Sequence, residues 1–281
     1  MRCFRRQPVA WLLLSLFAPT LLAGCGSLQK DVDVVLPFGP SQLVVEAYLE
    51  PNVVPRLAVT ETQPYLAEVA IPLVPDVTAI IIRPNGTRDT LMYAPTIDRA
   101  TRKGYTHIGR RRLNARPGDT FQLEVYDKQG RRLTGTATMP TTVPIQNVEW
   151  RFNNETGNQR RAYVLNTFQD PAGLGDAYRF MVHRRSLLND PEVEYTVQDR
   201  LTDGQSITLG TSYEFRPNDT LIVSLFHLDT PYYNFLQSVQ DARSANNNPF
   251  AQPSGVKSTV TGGVGVFTVL SVQRQNIILR E

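Results

Sequence analysis

Three histidines, His107, His183 and His227, are the side chains most suited to hold a metal or move a proton. Each falls within an expected strand, without a second histidine or carboxylate at a ligand spacing such as HExxH. Each is read as a strand residue with a partly solvated ring. Asp170 with Asp176, and Asp199 with Asp203 and Gly204, offer the oxygen ligands that calcium takes, but neither group has the spacing of a calcium loop. They are read as turn carboxylates accepting hydrogen bonds from nearby backbone. No metal and no cofactor is expected. There is no GxSxG elbow and no SxxK pair for nucleophilic catalysis. A glycosidase pair of carboxylates, whose spacing only the fold sets, has no support in the sequence. Gly262-Gly263-Val264-Gly265 precedes a strand, whereas phosphate binding needs a helix N-terminus, so it reads as a tight turn. Arg110-Arg111-Arg112 with Arg116 is either a solvated basic turn or a contact for acidic partners or phosphate groups. The chain is not expected to be an enzyme.

Cys25 has a more closely defined context. Leu22-Ala23-Gly24-Cys25 places a branched apolar residue and two small residues before a thiol, the lipobox pattern. Small side chains let an extended backbone enter a signal peptidase, and the thiol is the nucleophile that takes up a diacylglyceryl group. Upstream lie Arg2, Arg5 and Arg6 and a short apolar run broken by Pro19, the parts of a secretory signal. That run falls short of the ~20 residues a spanning helix needs. The competing readings are a short transmembrane anchor and an ordinary signal peptide that happens to end in cysteine. Residues 1–24 are expected to be removed, and residues 25–39 to form a lipidated tether. The precursor has 29 basic and 26 acidic residues; losing three arginines leaves 26 of each. A neutral body gives no electrostatic ground for nucleic-acid binding. Cys3 leaves with the signal and Cys25 is lipidated, so no disulfide or cysteine-ligated metal is expected.

The remaining 257 residues read mainly as strands. Apolar residues make up 41% of the chain, enough to build cores. Strands are expected at 42–50, 55–62, 77–83, Asp89–Tyr93, Gly104–Ile108, Thr120–Tyr126 and Arg131–Met139. Phe121, Leu123 and Val125 alternate with Gln122, Glu124 and Tyr126, which puts one face in a core. Seven strands with turns between them predict an immunoglobulin-like β-sandwich over residues 40–140. The segment Met139-Pro140-Thr141-Thr142-Val143-Pro144 disfavours helix and sheet alike and marks a boundary. Residues 141–281 are expected to form a second β-rich, sandwich-like domain, its strands at Ile145–Phe152, Ala162–Phe168, Ala177–His183, Glu194–Leu201, Gln205–Gly210, Thr220–His227 and Val264–Val272. One short helix is expected over Tyr232–Ser244, capped by Thr230 with Pro231 at its first position. Its apolar stripe reads as facing a core. A long polar loop, 245–255, follows.

The order of several short motifs carries a resemblance. These are the lipobox, Leu43–Leu49, Pro117–Val125, Thr136–Pro140, Phe168-Gln169-Asp170-Pro171, Tyr178-Arg179-Phe180, Asn248-Pro249-Phe250 and Gly262–Phe267. Together they resemble a family of Bacteroidota lipoproteins known only as a domain of unknown function, over nearly the whole mature chain. Genes of that family often lie beside TonB-dependent receptors. The resemblance implies an outer-membrane location, at the cell surface or the periplasmic face, and a part in capture or uptake. It supplies no catalytic residues. Lys30-Asp31-Val32-Asp33 resembles the short acidic export signals of surface lipoproteins, or is a solvated tether. Asp89-Thr90-Leu91 and Asp219-Thr220-Leu221 match a short O-glycosylation pattern. The leading expectation is a non-enzymatic binding or accessory protein for a TonB-dependent transporter, with Tyr232, Tyr233, Asn248 and Phe250 as the contact surface. The alternatives are a stand-alone glycan- or peptide-binding module and a hydrolase whose carboxylates meet only in the fold.

Overall fold

In several strands alternation decides which side is buried. In Leu43–Leu49 (β1), Leu43, Val45, Ala47 and Leu49 are fully buried while Glu46 faces water. Thr120–Tyr126 (β7) buries Phe121, Leu123 and Val125 in the same way. The computed structural model describes residues 39–64, 70–99, 103–173, 175–200, 203–246, 252 and 254–281. Leu22, Ala23, Gly24, Cys25, Asn248 and Phe250 lie outside the described residues.

The first half contains, besides β1 and β7, Arg56–Glu61 (β2), Thr78–Ile82 (β3), Arg88–Thr90 (β4), Met92–Ile97 (β5), Gly104–Ile108 (β6) and Arg132–Thr138 (β8). The expected strand at Asp89–Tyr93 is in fact two. It breaks at Leu91, which is buried and bonds its N–H to Ala79 O (2.9 Å), so β4 and β5 enter different sheets. One sheet runs β1-β2-β6-β5 and the other β8-β7-β3-β4. These are the two layers expected of an immunoglobulin-like sandwich, and they share one apolar core.

The second half contains Ile145–Phe152 (β9), Ala162–Gln169 (β10), Ala177–Arg184 (β11), Val193–Gln198 (β12), Ser206–Gly210 (β13), Thr220–Leu228 (β14) and an α-helix, Thr230–Asn246 (α1). Val260–Thr261 (β15), Val264–Val269 (β16) and Ser271–Ile278 (β17) follow. A three-stranded sheet, β13-β10-β9, faces a four-stranded one, β12-β11-β14-β17, across a second core. The helix is capped one residue earlier than expected: Asp229 Oδ1 accepts from Tyr232 N (2.7 Å) and Asp229 O from Tyr233 N (3.0 Å). Asp229 is thus the cap, and Pro231 takes the second helical position.

The expected division at residue 140 needs correction, because 141–281 does not close on itself. Val264–Val272, expected as one strand, splits at Leu270, whose N–H reaches Leu49 O (2.7 Å). β16 pairs in parallel with β1, from Val44↔Val264 to Leu49↔Val269, and β15 pairs with β8 of the first sandwich. β17 returns to the second sandwich beside β14 and extends to Ile278, six residues beyond the expected end. The connection from β14 to β17 therefore leaves one sandwich, supplies two strands to the other and comes back. Glycines permit the close approach. A Cβ on Gly262 (φ +81°) would lie 2.1 Å from Arg132 O, and one on Gly265 (φ +130°) 1.9 Å from Val45 O. The tight turn expected at Gly262–Gly265 is thus also a backbone-to-backbone contact. A third apolar cluster joins the halves: Ala177, Met181, Phe226, Leu228, Tyr232 and Val266, with Tyr48 packed against them. Arg274 Nη1 to Glu50 Oε1 (2.7 Å) adds an ion pair across the same junction. Pro40–Glu281 accordingly forms one compact unit.

Candidate functional site

The loops at one end of the second sandwich bring three aspartates together. Asp170 follows β10, Asp176 precedes β11, and Asp199 follows β12. The strands end there because Pro171 and Gly173 (φ +138°) cannot continue β10, and Gly204 (φ +65°) makes the turn into β13. The three Asp residues each place one carboxylate oxygen within 4.8 Å of the others. Asp170 and Asp176 of one group noted in the sequence thus meet Asp199 of the other, through a juxtaposition that only the sandwich makes.

Each carboxylate has a different environment. Asp170, 2% exposed, accepts from the Tyr178 hydroxyl on Oδ1 and from Gly204 N on Oδ2 (2.9 Å). Asp176 Oδ1 lies 3.0 Å from His227 Nε2. His227 Nδ1 donates to Thr141 O (2.8 Å), since a carbonyl can only accept, and the ring stacks on Tyr178 with centroids 5.2 Å apart. Asp199 is 2% exposed, and neither of its oxygens accepts from an N–H or O–H donor among the described residues. Burial, reinforced by the Asp170 and Asp203 carboxylates, pushes its carboxyl up. Asp203 itself accepts from Gly173 N (2.7 Å). Burial also pushes the Tyr178 phenol up, as does its bond to Asp170.

The contact residues expected on the helix divide. Tyr232 is 1% exposed, stands edge-on to Tyr48 with centroids 5.9 Å apart, and accepts from Arg179 Nη1 (3.1 Å). It presents no area to a partner. Of the helical stripe, Tyr232, Phe235 and Leu236 pack on the core as their spacing indicated, and Tyr233 is half-buried against the same cluster. All three histidines sit in strands and are buried, more so than the expected partly solvated rings. His107 donates from Nε2 to Val77 O (3.2 Å), and burial holds it below the usual imidazole range.

Two surface features of the first sandwich were not foreseen. β5 is an edge strand with all six residues exposed, including Met92 (44%), Tyr93 (38%) and Ile97 (60%). Alternation could not identify it, because neither of its faces is buried. Beside it a cleft of about 320 Å³ is lined by Arg88, Asp89, Met92, Arg110 and Arg111, which gives the basic run a concave setting. Thr90 and Thr220, the candidate glycosylation residues, are both exposed.

Among the described residues, no helix is long and apolar enough to cross a membrane. The model of a family described as a domain of unknown function (DUF4249) matches residues 29–276. No curated protein matches the chain.

Proposed function

The chain belongs to this family of unknown function, and from that premise we propose that it is a non-enzymatic accessory protein, lipid-anchored at the outer membrane through Cys25 and docking on a TonB-dependent receptor. The observation that carries the reading is β5, which displays Met92, Tyr93 and Ile97 to solvent along one edge of the first sandwich. Exposed apolar side chains gathered in this way mark contact surfaces. Pro95 and a register shift between Tyr93 and Thr96 interrupt the edge. Prolines and bulges prevent strand-to-strand addition, so this surface meets its partner through side chains. The tether at residues 25–39 keeps such a contact within reach of the membrane.

The test is recovery of partners from detergent-solubilised outer membrane with the tagged protein and with a Met92→Lys, Ile97→Lys variant. The native chain is expected to retain a receptor that the variant loses, and Cys25→Ser to move the protein out of the membrane fraction. Recovery of no envelope protein by the native chain would sink the proposal, and equal recovery by the variant would remove β5 from it. The arginine-lined cleft favours a second reading, a stand-alone module for glycans or peptides carrying negative charge. Its volume lies at the small end of the ~300–1,000 Å³ range of ligand pockets. Binding by the purified protein without any partner distinguishes this reading from the first.

A further inference from the structure

We propose that Asp170, Asp176 and Asp199 form a calcium site at the end of the second sandwich. Their ligand oxygens lie within 4.8 Å of one another. Calcium takes six to eight oxygens in flexible geometry, whereas magnesium demands a near-ideal octahedron and keeps several of its waters. An all-carboxylate donor set suits a hard cation rather than zinc or copper.

Asp199 separates this cluster from an ordinary group of turn acids. It is 2% exposed, neither oxygen accepts from an N–H or O–H donor among the described residues, and it is aimed at two further carboxylates. A buried carboxylate that stays charged is paired or bound to a metal. The other two members are already oriented. Asp170 takes one donor on each oxygen, from Tyr178 and Gly204, which leaves lone pairs free on both. Asp176 is fixed through His227 and Thr141. Hydrogen bonds of this kind orient metal ligands and raise affinity. The side chain of Asp176 is 26% exposed and gives the ion a way in. Water and backbone carbonyls would complete the six to eight oxygens that calcium takes. Bound there, the ion would tie together the β10–β11 and β12–β13 loops. Through Asp176 and His227 it would also brace the linker at Thr141, where the chain enters from the first sandwich.

The experiment uses the full-length protein in detergent, stripped with a chelator, with calcium or magnesium as the only added probe. Calcium at about 100 times its Kd is expected to raise Tm by roughly 5–10 °C, and magnesium less, with one calcium bound per chain by calorimetry. Asp199→Asn keeps the shape and removes one charge. It is expected to abolish the calcium-dependent rise while leaving the metal-free Tm equal or higher, because like-charge repulsion is relieved. Asp203→Asn, outside the cluster, should keep the rise. If calcium leaves the native Tm unchanged, or raises that of Asp199→Asn equally, the proposal is overturned. Should Asp199→Asn fail to fold, Asp176→Asn at the partly exposed ligand is read by the same criteria.

Discussion

Replacing Gly265 by alanine tests the joint between the two sandwiches. The residue has φ +130°, and a Cβ there would lie 1.9 Å from Val45 O and 2.9 Å from Val45 N and C. Non-bonded carbon and oxygen do not approach below about 3 Å, so β16 must withdraw from β1 by more than an ångström. Six residue pairs, Val44↔Val264 to Leu49↔Val269, form that pairing. Holding a non-glycine residue in this backbone region costs about 1–3 kcal/mol, and each ladder bond lost costs about 1 kcal/mol more. With two bonds broken the total is on the order of 3–5 kcal/mol, a large part of a typical stability of about 5–15 kcal/mol. Gly118→Ala is the control. Its φ is +87° but nothing lies within 4 Å of the added carbon, so it bears conformational strain alone, about 1–2 kcal/mol. Urea unfolding gives the two stabilities, and amide hydrogen exchange shows where protection is lost, expected first at Val264–Val269. If Gly265→Ala matched Gly118→Ala within about 1 kcal/mol and kept that protection, the close-approach reasoning would be refuted.

Asp229→Ala should cost about 1 kcal/mol by removing the helix cap, while Thr230→Ala should cost only a few tenths; thermal melts of both variants decide between the two caps. His107 gives a pH signature. Burial holds its ring below the usual imidazole range, so as pH falls the unfolded chain takes up the proton first. Its share of stability is complete above about pH 6.5 and declines as pH falls from there towards the folded-state value. Melts between pH 7.5 and 5.5 should show a shallower slope in His107→Gln than in the native chain, and equal slopes would exclude the buried ring as a source. Truncating Tyr232 to alanine should cost about 3–5 kcal/mol, as for a large core side chain, and Tyr232→Phe should leave partner recovery unchanged; loss of the partner with Tyr232→Phe would return that hydroxyl to the contact surface.

Local pattern was legible wherever one face of a strand is buried. Phe121, Leu123 and Val125 announced β7 because water and core impose a period of two. Leu91 and Leu270 were not legible as breaks. Both are apolar residues inside β-rich runs, and what bends the chain at each is a hydrogen bond to another strand, Ala79 O and Leu49 O respectively. The helix cap was misplaced by one residue because Asp229 and Thr230 are both good capping types, and only the orientation of the Asp229 side chain separates them. The acidic cluster had the right members in the wrong grouping. Asp170 and Asp176 are near in sequence and Asp199 is not, so spacing placed them in separate turns, and the packing of two sheets joined them. β5 was hidden for the opposite reason: a strand with no buried face carries no alternation.

The parallel pairing of β1 with β16 also fixes an order of events during synthesis. Val44 and Val264 are 220 positions apart, so the earliest strand to leave the ribosome waits for nearly the last before its edge is covered. Contacts this distant in sequence slow folding. The first sandwich therefore cannot complete its two sheets while the rest is still being made, as an independent N-terminal domain would. A nascent chain halted before residue 260 presents β1 and β8 as open edges, and open edges recruit other strands. Both edges of the unfinished first half therefore stay uncovered until the C-terminal arm arrives.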